Sequence, residues 1–129
     1  MNYITMLIIV LGLAVADFAT GFIKAYCTDS VQSAKMRKGG LNKIGEIIVM
    51  CVAIGLDIGI ERLGEFYGHE GMSGIAGVVT AVAVFVYIVA MEVISILENY
   101  SEINTEAKWA KRIIKKLKVY TSEEKESEE

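Results

Sequence analysis

The sequence predicts an all-α membrane protein with three transmembrane helices and a C-terminal basic amphipathic helix. Three observations carry that prediction. Hydrophobic residues make up 53% of the 129 positions and mean hydropathy is +0.45, more apolar than an ordinary soluble domain. The charges avoid three long stretches and crowd between and after them. The polar stretch 24–43 separates two of those stretches and is strongly basic. It holds Lys24, Lys35, Arg37, Lys38 and Lys43 against Asp29 alone as acid.

The first apolar run, 3–26, has about 24 residues, enough to cross a hydrocarbon core of about 30 Å with some tilt. A cleaved signal peptide is the rival for this run, because Ala14-Val15-Ala16 resembles a cleavage site. It is disfavoured: no basic residue precedes Lys24, and the apolar run continues past that site. The second run, 44–60, has about 17 residues, the short limit for a span. Residues 61–71, ERLGEFYGHEG, form an acidic, glycine-containing connection. The third run, 72–97, has about 26 residues. The membrane domain is therefore expected over 1–100.

The next segment, 101–120, is expected to be a basic helix. At about 100° per residue, Trp109, Ala110, Ile113, Ile114, Leu117 and Tyr120 fall within an arc of about 140°. Lys108, Lys111, Arg112, Lys115, Lys116 and Lys118 occupy the other side, a pattern suited to an anionic membrane surface. A merely solvated charged helix is the plainer alternative. Residues 121–129 are acidic and expected to be disordered. Short basic segments stay on the cytoplasmic side. The expected topology thus has the amino terminus outside, the basic loop inside, the acidic loop outside and the tail inside.

Ionisable side chains within spans are costly and face protein or water. Asp17, Glu46, Asp57 and Glu92 are of this kind, with Lys24 at the inner edge of the first span. Glu46 and Asp57 share a narrow arc of the second helix, being about three turns apart. The opposite arc carries Cys51, Gly55 and Gly59, small residues that permit close helix contact. Gly77 shares the polar side of the third helix with Glu92.

Two accounts fit these faces. One is a structural bundle with its charges paired, Lys24 with Glu92 for example. The other is self-association, with polar faces at a subunit seam or a water-filled lumen. The residues alone leave both open. Cys27 and Cys51 are expected to be free thiols, and His69 stands alone. There is no phosphate loop, no metal spacing, and no nucleophile with an adjacent base, so no enzyme, cofactor or nucleic-acid partner is expected. A transporter using Asp17 and Asp57 as a proton path is a poor fit for three short spans without a broken helix.

Several motifs add a resemblance. Asp17-Phe18-Ala19-Thr20-Gly21-Phe22-Ile23-Lys24-Ala25 pairs an intramembrane Asp with Thr-Gly and Lys-Ala. Ser33-Ala34-Lys35-Met36-Arg37-Lys38-Gly39-Gly40-Leu41-Asn42-Lys43-Ile44 is a serine-bearing basic loop, followed by a span containing Asp57. Ser95-Ile96-Leu97-Glu98-Asn99 ends the third run. In order and spacing these resemble the small phage holins of the phage-lysis and toxin-secretion type. The match covers about residues 10 to 100, counted along the same three spans. A proline common in that family soon after Glu-Asn is missing here. The resemblance implies a non-enzymatic protein of the bacterial cytoplasmic membrane that oligomerises into lesions releasing endolysin or a toxin. Its implied partners are itself, membrane lipid, the released cargo and, in some systems, an antiholin. The alternative class is a non-pore membrane adaptor or structural membrane protein whose basic tail recruits a partner.

Overall fold

The computed structural model describes residues 2–68 and 73–126, and among these every regular element is a helix. The part of the acidic connection at 69–72 and the end at 127–129 lie outside the described residues. Helix α1 spans Tyr3–Cys27 and starts where the Asn2 side chain accepts a hydrogen bond from the Ile4 N–H at 3.2 Å. A five-residue turn follows, with Asp29 in the left-handed region (φ 49°), which Asp tolerates better than most residues. Helix α2 spans Ser33–Tyr67 and closes at Gly68, whose φ of 70° suits a left-handed cap. Helix α3 spans Ser73–Ile103, and α4 spans Lys108–Glu126.

Several boundaries differ from the hydropathy pattern, among them the end of α2, which runs seven residues into the expected connection to reach Tyr67, and the start of α4, which is at Lys108 instead of 101. The basic stretch is not a loop throughout, because residues from Ser33 onward form the first turns of α2, making a helix of 35 residues. At 1.5 Å per residue that is about 52 Å, well beyond a bilayer core. No proline blocks this extension, and the Gly39-Gly40 pair costs only about 1 kcal/mol per glycine. Helix α3 runs on to Ile103, and α4 continues past Tyr120 to Glu126. The exit from α3 is made without proline. Asn104 donates its N–H to the Tyr100 carbonyl at 2.8 Å, and its side-chain oxygen accepts from the Glu106 N–H at 3.2 Å.

Helix α3 packs between α1 and α2 and also carries α4. Contacts from end to end place α1 and α3 parallel, with α2 antiparallel to both. The apolar core is small: Met6 and Val10 of α1, Met50 and Ile54 of α2, and Phe85 and Ile88 of α3. The outward surface is apolar as well. Ile8, Val15, Ile48, Val52, Val79 and Val86 are all exposed. In water such a continuous surface would drive aggregation; in lipid it is at home. Two segments, Tyr3–Cys27 and Gly77–Ile103, are long and apolar enough to cross a membrane. The apolar part of α2 contains Glu46 and Asp57.

Helix α4 folds back onto the end of α3. Ala107 and Ala110 are buried there, the Trp109 and Tyr100 rings lie 5.8 Å apart, and Lys118 pairs with Glu98 at 2.6 Å.

Candidate functional site

The ionic residues converge at one end of the bundle on Lys43. This lysine sits where the polar start of α2 meets its apolar part. Its Nζ lies 2.8 Å from Asp17 Oδ2 on α1 and 2.7 Å from Glu92 Oε1 on α3. Glu46, one turn along α2, is 3.6 Å away, close enough for attraction but beyond a hydrogen bond. One ammonium thus ties three helices together. Burial opposes the Lys43 charge, but the hydrogen bonds and negative charges of Asp17 and Glu92 outweigh it and hold the pKa above the ordinary lysine value.

Asn99 extends the junction by donating from Nδ2 to Asp17 Oδ1 at 3.1 Å and to Thr20 Oγ1 at 3.3 Å. The Thr20 hydroxyl in turn donates to the Asp17 carbonyl. A Cβ at Gly21 would make ordinary contact with Asn99 Nδ2 at 3.5 Å, so this layer has room for a small side chain. Three carboxylates face a single cation, and Glu92 is almost wholly buried. Glu46 Oε2 and Glu92 Oε2 have no hydrogen-bond donor. Such a cluster holds together only while Lys43 stays in place.

The far end of the bundle is simpler. Asp57 on α2 is 1% exposed and accepts a hydrogen bond from the Tyr3 hydroxyl of α1. Gly77 of α3 passes directly over it, and a Cβ built there would lie 2.8 Å from Asp57 Cα. Gly77 is therefore a packing glycine between α2 and α3. Gly55 and Gly59 are different: a Cβ on either would meet nothing within 4 Å, so they face outward. The acidic arc of α2 faces inward, with Asp57 buried and Glu46 half-buried.

Lys24 does not reach Glu92. It pairs with Glu102 at 3.0 Å, because α1 and α3 run parallel and the last turn of α1 lies level with the end of α3. On α4, Lys108, Lys111, Arg112, Lys115 and Lys116 are exposed, as is Lys118 despite its pairing with Glu98. The apolar arc of α4 is divided: Ala110 is buried, Ile114 and Leu117 are half-buried, and Trp109, Ile113 and Tyr120 are exposed. Cys27 and Cys51 are free and exposed. Among the described residues no cluster of His, Cys, Asp or Glu is arranged to hold a metal ion.

The sequence pattern named Asp17, Glu46, Asp57 and Glu92 but not the group that joins three of them. Lys43 read as one cation of a polar loop, although its position one turn before Glu46 was a usable signal. Asn99 appears in the sequence only as the end of the Ser95–Asn99 motif, with no role attached, and Tyr3 gives no signal of its own.

Neither the curated proteins nor the solved structures contain a match to this chain. A family model described as the bacteriophage holin family matches residues 2–122, which includes all three bundle helices and most of α4. With nearly the whole chain matched, two helices fit to cross a membrane and an apolar outer surface, this protein belongs to the bacteriophage holin family, which is not a family of enzymes.

Proposed function

We propose that this chain is a holin that accumulates in the bacterial cytoplasmic membrane, self-associates, and opens lesions through which an endolysin or a toxin leaves the cell. The observation that carries the proposal is the distribution of polarity within a family member: ionic groups turned inward around Lys43, aliphatic groups turned outward. In a closed bundle Lys43 offsets part of the negative charge of Asp17, Glu46 and Glu92. When bundles assemble and open, the same charges can face water, while the aliphatic face remains against lipid.

In this proposal α2 is the third span, crossing with residues 44–60. The amino terminus lies outside, and the basic start of α2 and α4 lie inside. Gly55 and Gly59 mark the face of α2 on which a second copy packs. Trp109, Ile113 and Tyr120 lie against the inner leaflet beside the lysines of α4. The alternative is a non-pore adaptor that uses the exposed basic face of α4 to recruit a partner.

The deciding experiment is induction of the full chain in bacteria, following membrane potential and the release of a cytosolic endolysin. Abrupt depolarisation with release supports the holin reading. Membranes that stay energised at high expression, with endolysin retained, would sink it and favour the adaptor. Orientation is read separately by an impermeant thiol reagent on spheroplasts of a chain lacking Cys27 and Cys51. A cysteine replacing Ser33 should stay unlabelled and one replacing Gly68 should react.

A further inference from the structure

Beside the Lys43 junction, the three bundle helices enclose an open cleft of about 300 Å³. Its walls are of two kinds. Ser30, Gln32 and Lys35 form a polar rim, and Phe18, Phe22 and Met36 form an apolar floor. Asp17, the acid in the lining, is already bound by Lys43 and Asn99. Lys24 in the lining is paired with Glu102. Lys35 is exposed and has no acidic partner among the described residues, so it supplies uncompensated positive charge at the rim. The first turn of α2 opens at the same rim and receives no side-chain cap from Gln32, which adds donor N–H groups of the same sign.

The apolar floor continues away from the rim. Phe22, Phe18, Val15 and Leu11 follow one another at steps of four, three and four along α1 and are all exposed. They form one stripe, leading from the cleft toward the middle of the first apolar span. A ligand that fits both parts has an anionic head and a long apolar tail.

We propose that this cleft binds an anionic phospholipid, with its phosphate at Lys35 and the α2 amino terminus and an acyl chain along Phe22, Phe18, Val15 and Leu11. The assignment rests on the membrane reading above and adds a specific lipid contact to it. Gly39 borders the cleft, and a Cβ there meets nothing within 4 Å, so a side chain placed on it would extend into free space.

The test is native mass spectrometry of the full chain in a neutral detergent, offered phosphatidylglycerol, phosphatidylcholine or inorganic phosphate. Phosphatidylglycerol should be retained in preference to phosphatidylcholine, and phosphate alone should neither be retained nor displace it. Lys35→Ala should lower phosphatidylglycerol retention on the order of fivefold, the loss of one cation near an anionic surface. Lys38→Ala removes the same charge from outside the cleft and should leave retention unchanged. Gly39→Leu should lower retention while the helical circular dichroism stays unchanged. Equal retention of the two lipids, equal loss in Lys35→Ala and Lys38→Ala, or displacement by phosphate would each overturn the proposal. Lysis in induced cells reports on the holin reading independently, since normal lysis without lipid preference removes only the cleft assignment.

Discussion

The two ends of the bundle hold their buried acids in different ways. At one end Lys43 neutralises carboxylates on α1 and α3 and attracts a third on its own helix, and the helices are joined by charge. At the other end Asp57 has a neutral partner in Tyr3, and α2 and α3 are joined by close approach at Gly77. A charged junction depends on the presence of its single cation. A packed junction depends on the absence of a side chain. The first tolerates changes of shape better than changes of charge, and the second the reverse.

The largest effect is therefore expected from Lys43→Met. It leaves Asp17, Glu46 and Glu92 facing one another without a cation, and breaking a buried pair in this way costs about 3–5 kcal/mol. Thermal unfolding in detergent should show a large loss, with Lys43→Arg losing much less. If Lys43→Met is as stable as the parent chain, the charged junction is not what holds this end.

Gly77→Ala should come next. The added Cβ would overlap the Asp57 carboxylate and backbone, so α2 and α3 must separate, at about 1–3 kcal/mol for overpacking. Engineered cysteine crosslinks between α2 and α3 near this point should form more slowly. An unchanged crosslinking rate would show that the helices are not in close contact there.

Tyr3→Phe removes the donor to Asp57 and leaves a buried acceptor, costing about 1–3 kcal/mol. Asp57→Asn keeps an acceptor for Tyr3 and should cost less. It is the sharper probe of function, because it removes charge at nearly constant shape. Unchanged dye release in Asp57→Asn would mean that the charge plays no part in permeation. Gly59→Leu should have the smallest effect on the bundle itself, since nothing lies within 4 Å of its Cβ position. Its effect should appear only in crosslinked oligomers, which should diminish. Loss of monomer stability in this variant would contradict the outward placement.

The apolar helices were legible because hydropathy acts over whole turns, and α1 follows the expected 3–26 closely. That Glu46 and Asp57 share one side of α2 was legible for the same reason; that this side turns into the bundle was not, because periodicity alone does not say which face meets a neighbour. The helical start of α2 was not legible either. Residues 34–38 (Ala, Lys, Met, Arg, Lys) are good helix formers, but a polar stretch interrupted by Gly39-Gly40 between two apolar runs has the pattern of a loop, and that masks the helix. The pairing of Lys24 with Glu102, where Glu92 is the example that the sequence suggests, is not legible, because axial register between helices is set by distant contacts that no local pattern records. Lys43 was overlooked on similar grounds: a lysine bordering a span looks like any other interfacial cation until α1 and α3 are placed beside it.

One geometric coincidence has a mechanical consequence. Helix α1 is fastened to α2 at Tyr3–Asp57 and at Asp17–Lys43, and the fastening points are fourteen residues apart on each helix. At 1.5 Å per residue both intervals are about 21 Å, so the two antiparallel rods match like a two-pin plug and its socket. Sliding α1 along α2 by one helical turn, about 5.4 Å, loads both pins at once. The Tyr3 ring is stiff and gives way early, whereas the flexible stem of Lys43 lets its ammonium follow Asp17. The Lys43 end is therefore the tether from which a displaced α1 is drawn back into register.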